Sequence, residues 1–155
     1  MPGFLSYVLS FLYVGIYWNN HHHLLHAATR TSGAVLWANL DLLFCLSLFP
    51  FATAWMGENH FAAVPSAVYG FVLLMAAAAY LLLENAIMAA EGADSVLLRA
   101  LGRDWKGKLS PFAYISGIGA SFVAHWLAQA IYLAVALVSL VPDPRIEKVA
   151  GGRER

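Results

Sequence analysis

From Pro111 to Val141 the chain contains no Asp, Glu, Lys or Arg, and a stretch of that kind cannot clothe the surface of a water-soluble domain. At ~1.5 Å of rise per residue it is too long for one upright passage of a bilayer core about 30 Å thick, and short for two. Three further apolar stretches precede it, Phe4 to Trp18, Ala34 to Met56 and Phe61 to about Ala90. Composition closes the soluble alternative. Only 12% of the residues are charged and 61% are hydrophobic, against roughly 25% charged in an average globular domain. With 155 residues, a set of spans of about 20 residues each leaves no room for a separate catalytic domain.

Nothing between Phe4 and Leu25 breaks a helix, so the first span is expected to run on through His21, His22 and His23. Pro50 falls in the later half of the second span, where a membrane helix tolerates a kink if neighbours satisfy the freed carbonyl. The third span is long enough to tilt or to project beyond the lipid, and Ala76 to Ala79 give it a smooth face. Met1 to Phe4 carry no basic residue and the first stretch ends in Trp18-Asn19-Asn20, so no removable signal peptide is expected. Cys45 is the single cysteine. It excludes a disulfide framework and a thiolate metal site, and reads as a small buried hydrophobe. A formal net charge of zero argues against nucleic acid as a partner.

Charge placement decides the number of spans. Lysine and arginine concentrate on the cytoplasmic side of a membrane, and here they form three groups: Arg30; Arg99, Arg103, Lys106 and Lys108; and Arg145, Lys148, Arg153 and Arg155. The connector Gly57 to His60 has none. If Pro111 to Val141 is a helical hairpin turning near Ala124 to Gln129, every cation lies on one side, whereas a single pass strands the last four outside. The chain is therefore expected to be an all-α, polytopic integral membrane protein of about five transmembrane helices. The last two form a short hairpin, and the segment from Ser95 to Trp105 lies along the inner interface. Residues 1–143 make one helical domain and 144–155 a cytoplasmic tail. An odd number of spans puts Met1 outside, and the parity suggests a further helix encoded upstream, an expectation that N-terminal sequencing of the endogenous protein would test.

Ionisable groups are costly in hydrocarbon and usually face a partner, a cavity or an interface. His22 and His26 are spaced i, i+4, as a metal-binding pair would be, but no Glu or Asp follows at ligand spacing. The expectation is interfacial histidines donating hydrogen bonds, with no metal and no cofactor. Asn39 and Asp41 lie near the inner start of the second span, at a depth similar to Asn20, His21 and His22. A hydrogen-bonded cluster between the two helices follows, acting as polar glue; a lining role in an ion or proton pathway is the alternative. Glu84, beside Asn85, is expected to reach the inner interface, and His125 to mark the outer turn of the hairpin. The serines sit in no nucleophile elbow, no glycine-rich phosphate loop occurs, and no acidic pair is placed for acid–base work. An enzyme is not expected.

Several segments together resemble the transmembrane protein 175 family of potassium channels: 7–22 (YVLSFLYVGIYWNNHH), 36–44 (LWANLDLLF), 48–53 (LFPFAT), 68–70 (VYG) and 141–147 (VPDPRIE). The resemblance implies a six-helix repeat of which this chain matches helices two to six, a bacterial tetramer around a central pore if complete, and passive passage of potassium ions across the bacterial plasma membrane. Selectivity would come from a narrow apolar pore; no Thr-Val-Gly-Tyr-Gly filter is present. The family's pore-lining first helix carries Phe-Ser-Asp, a triplet absent here. By the same resemblance, Trp18, Asn20, His21, His22 and Asn39 match polar positions that pack against that helix. The alternatives are a truncated, non-conducting relative, and a His/Asp-dependent proton or metal transporter built on Asp41 and Glu84.

Overall fold

The computed structural model describes residues 2–91 and 105–140. Among them there is no strand and there are five helices, the second of them broken into two pieces; the chain is an all-α membrane protein. The elements are α1 (Pro2–Ala27), α2 (Gly33–Ser47), α3 (Phe49–Glu58), α4 (Ala63–Glu91), α5 (Trp105–Val123) and α6 (His125–Leu140). The segment 95–105, expected along the interface, and the tail 144–155 lie outside the described residues, save for Trp105 at the start of α5.

Local chemistry explains most boundaries. Ser32 caps α2, its hydroxyl accepting from the Val35 N–H at 3.3 Å, which satisfies one of the donors every helix start leaves open. α2 stops at Ser47 because Pro50, placed in the first turn of α3, has no N–H to offer the Leu46 carbonyl. Leu48 bridges the two pieces, its N–H turned back onto Cys45 at 3.2 Å. The two continue as one apolar span of 26 residues, Gly33–Glu58, with mean hydropathy 1.7. α4 starts two residues later than the hydropathy predicts, because His60 and Phe61 adopt left-handed backbone (φ 51° and 58°) in the connector. From Ala63 it runs 29 residues at mean hydropathy 2.1, about 43 Å of helix.

The charge-free C-terminal stretch is a hairpin. α5 and α6 are separated by Ala124 alone, and Tyr132 of α6 returns onto Gly117 of α5, which places the two helices side by side and antiparallel. α5 begins at Trp105, ahead of Pro111, which lies inside the helix; hydropathy stops at the lysines there, whereas a membrane helix tolerates the proline. α4 is the central helix, with α2 and α5 against it, and α1 lies against α3. Phe4, Phe11, Phe51, Phe71, Leu82, Phe112, Phe122, Val123 and Trp126 all point outwards. A surface carrying that many large apolar side chains suits lipid and would be a liability in water.

Candidate functional site

Two polar regions are built inside this apolar bundle. The first joins α1 to α2 near the loop that connects them. His21 Nε2 hydrogen-bonds with the Asn39 Oδ1, which locks the register of the two helices. Beside it on α1, Trp18, His22 and His26 recur every four residues and therefore share one face. Trp18 stacks on His22 (centroids 5.3 Å apart, planes 13° from parallel), and His22 on His26 (6.0 Å, 12°). This ladder faces outwards, Trp18 being 57% exposed, and an open groove of about 330 Å³ runs along it, lined by Trp18, His21, His22, Leu25 and His26.

The sequence grouped Trp18, Asn20, His21, His22, Asn39 and Asp41. The structure brings His21 to Asn39 and Trp18 to His22, and leaves Asn20 half-buried. Asp41 stands apart from them, exposed on α2. The reason is angular: two residues on in a helix is about 200° round it, so if Asn39 faces α1, Asp41 faces away. Glu84 is a second departure. It is 3% exposed within α4 rather than at the interface. No group of three or more His, Cys, Asp or Glu is placed to hold a metal among the described residues.

At the same end, the Glu91 carboxylate closes the α1–α2 loop onto α4. It accepts from the Thr29 N–H, from the Thr29 hydroxyl at 2.7 Å and from the Arg30 N–H at 3.0 Å. Loop backbone groups that no helix bond reaches are thereby satisfied.

The second polar region is a tyrosine core. Tyr13, Tyr69, Tyr114 and Tyr132 come from four different helices and are all buried. Tyr69 meets Tyr13 and Tyr132 edge-on, at 6.2 and 5.6 Å between centroids. The Tyr13 hydroxyl donates to the Tyr132 carbonyl, and the Tyr132 hydroxyl to the Ser66 carbonyl at 3.3 Å. Gln129 donates to the Ser66 hydroxyl at 2.9 Å. Room for the Tyr132 ring is made by two glycines: a Cβ on Gly70 would lie 2.0 Å from its hydroxyl oxygen, and one on Gly117 2.4 Å from its Cε1. Sequence reasoning missed this core. Its one available signal was Gly70 and Gly117 inside apolar spans, since small residues mark close helix approach in membranes.

Comparison with known proteins places the chain. The model of the family described as endosomal/lysosomal potassium channel TMEM175 matches residues 1–50, which include both halves of the His21–Asn39 contact. A protein named potassium channel from Chryseobacterium sp. (strain P1-3) is 51% identical over 148 residues, 96% of this chain and 77% of the relative. The chain belongs to the TMEM175 potassium channel family. A potassium channel of Streptomyces collinus is 34% identical over 83 residues, covering 51% of this chain and 40% of its own length. One from Chamaesiphon minutus is 27% identical over 144 residues, covering 88% and 70%. No solved structure matches significantly. For a TMEM175-family chain the arrangement makes physical sense: the hydrogen bonds lie between helices, where they set register, and lipid-facing surfaces are apolar.

Proposed function

We propose that this protein is a subunit of a potassium-permeable channel that lets the ion move passively down its gradient through a pore on the symmetry axis of a homo-oligomer, four copies when complete. The observation that carries the reading is the 51% identity to a potassium channel over 96% of the chain. In this reading the five helices form the scaffold of the subunit, the tyrosine core and the His21–Asn39 bond holding them in register. By the family resemblance the pore itself is lined by a helix of the Phe-Ser-Asp type, and the residues around His21 support it. The protein sits in the bacterial plasma membrane with Arg30, the 99–108 group and the C-terminal tail in the cytoplasm, as the single-sided distribution of cations suggests.

The test is flux. Vesicles loaded with potassium, carrying the purified oligomer and suspended in sodium medium with a protonophore, are expected to take up protons as potassium leaves, quenching a pH-sensitive dye. Vesicles as tight as protein-free ones, with monodisperse protein inserted, overturn the proposal in favour of a non-conducting relative. Proton uptake driven by an imposed pH gradient, without the protonophore and without a potassium gradient, would instead favour the His/Asp transporter.

A further inference from the structure

The second span is cut where it can bend. α2 and α3 meet at Leu48 with no side-chain cap, and Pro50 takes one hydrogen bond out of the ladder between them. Hydroxyls act on both sides of the break. Ser47 donates to the Phe44 carbonyl at 2.7 Å and Thr53 to the Phe49 carbonyl at 2.6 Å, back-bonds of the kind that bend helices. The two pieces also hold different neighbours: α2 packs on α4, whereas α3 packs chiefly on α1 and less on α4. α3 is thus a rod of 10 residues tied to α2 through Leu48.

Two buried hydroxyls border this rod and make no hydrogen bond among the described residues, Tyr69 Oη on α4 and Ser10 Oγ on α1. Their residues are 0% and 5% exposed, and a polar group so placed costs stability until it finds a partner. Tyr13 touches both Phe49, at 6.0 Å between centroids, and Tyr69, at 6.2 Å, which puts Tyr69 level with the first turns of α3. Thr53, one turn beyond Phe49 and 1% exposed, stands beside it. Ser10 lies one turn from Tyr13, and because α1 and α3 run in opposite directions it too is level with Thr53. Thr53 carries the one hydroxyl of α3. Its proton is committed to the Phe49 carbonyl, so its oxygen is left to accept, while the Tyr69 phenol has a proton to give. The two groups match in chemistry and stand just outside hydrogen-bond geometry.

We propose that α3 has two positions related by rocking about Leu48: the one described, and a second in which α3 closes on α4 and the Tyr69 O–H donates to Thr53 Oγ1. α2 keeps its own packing on α4 throughout, so no other helix has to unfold. The second position gains one interhelical hydrogen bond and gives up part of the packing of α3 on α1, opposing terms that let the two positions coexist. Because α3 packs chiefly on α1, the movement is passed to α1.

The experiment is fluorine NMR of the full chain in lipid nanodiscs. In a Cys45→Ala background, which removes the one native thiol, a trifluoromethyl tag is attached at Phe51→Cys on α3 or, separately, at Phe71→Cys on α4, both positions being exposed (70% and 54%). The expected result is two resonances from position 51 and one from position 71. Tyr69→Phe and Thr53→Val each reduce the second position-51 resonance relative to the first by about fivefold, the weight of one interhelical hydrogen bond. Where exchange is fast the two lines merge, and both substitutions then move the merged line in the same direction. A position-51 signal that Tyr69→Phe leaves unchanged, in folded and monodisperse protein, overturns the proposal. Unfolding of the untagged chain in SDS is independent of the tag: Tyr69→Phe combined with Thr53→Val costs less than the two single changes summed if the hydroxyls bond, and strictly additive costs refute the contact.

Discussion

Gly70→Ala tests the packing of the hairpin against the rest of the bundle. The Cβ it adds to α4 would sit 2.0 Å from the Tyr132 Oη, 2.7 Å from its Cζ and 2.9 Å from the Ile118 Cγ1. No real carbon approaches so closely, and the ring that must move is itself 0% exposed, wedged between Gly70 and Gly117. Overpacking of this kind costs about 1–3 kcal/mol, while replacing a mid-helix glycine by alanine returns up to ~1 kcal/mol. The net expectation is destabilisation of up to about 2 kcal/mol, towards the upper end because the ring cannot move aside. Gly119→Ala, on α5, is the matched control: nothing lies within 4 Å of its new methyl, so only the propensity gain remains and the variant is as stable as the parent or more so. Reversible unfolding in mixed micelles with increasing SDS measures both. Adding Tyr132→Leu to Gly70→Ala removes the obstructing ring, so the double variant is less destabilised than the two single changes summed. Gly70→Ala at or above parental stability, or strictly additive effects with Tyr132→Leu, would refute the packing described.

Asn39→Leu removes the acceptor of His21 and is expected to lower unfolding stability by about 1 kcal/mol, within the range for interhelical hydrogen bonds in membranes; unchanged stability in the same assay counts against the bond. Glu91→Ala frees the Thr29 and Arg30 amides, and hydrogen exchange at both should accelerate about tenfold, as losing roughly 1.4 kcal/mol of protection implies, with exchange in the middle of α4 unaffected. Accessibility tags in the 57–60 connector and at the C-terminus should report opposite sides of the membrane, the connector outside. Both tags on one side would remove the single-sided placement of cations.

Helix number and type were legible because lipid imposes one rule over whole segments: apolar length of about 20 residues, with charges between. The hairpin followed from the cations beyond it, Arg145 to Arg155, rather than from its own hydropathy. Its turn, placed near Ala124 to Gln129 by the same reasoning, falls at Ala124; the start of α5 at Trp105 was not readable because hydropathy stops at the lysines ahead of Pro111. Pro50 was readable as a disturbance, since its missing N–H acts wherever the helix goes. The partnering of polar residues was only half legible. His21 and Asn39 share a depth, which sequence shows, but the depth shared by Asp41 hid its opposite facing, although the i, i+2 spacing from Asn39 contained that information. The tyrosine core stayed hidden for a different reason: Tyr13, Tyr69, Tyr114 and Tyr132 lie on separate helices, and their contacts arise only when the bundle closes.

The central claim is that this TMEM175-family chain is part of a potassium-permeable pore, and current across a planar bilayer tests it most directly. With protein purified as its native oligomer and a potassium gradient set against equal chloride on both sides, the claim predicts a current whose reversal potential moves towards the potassium equilibrium potential. A silent bilayer, or a reversal potential that follows pH and ignores potassium, would contradict it.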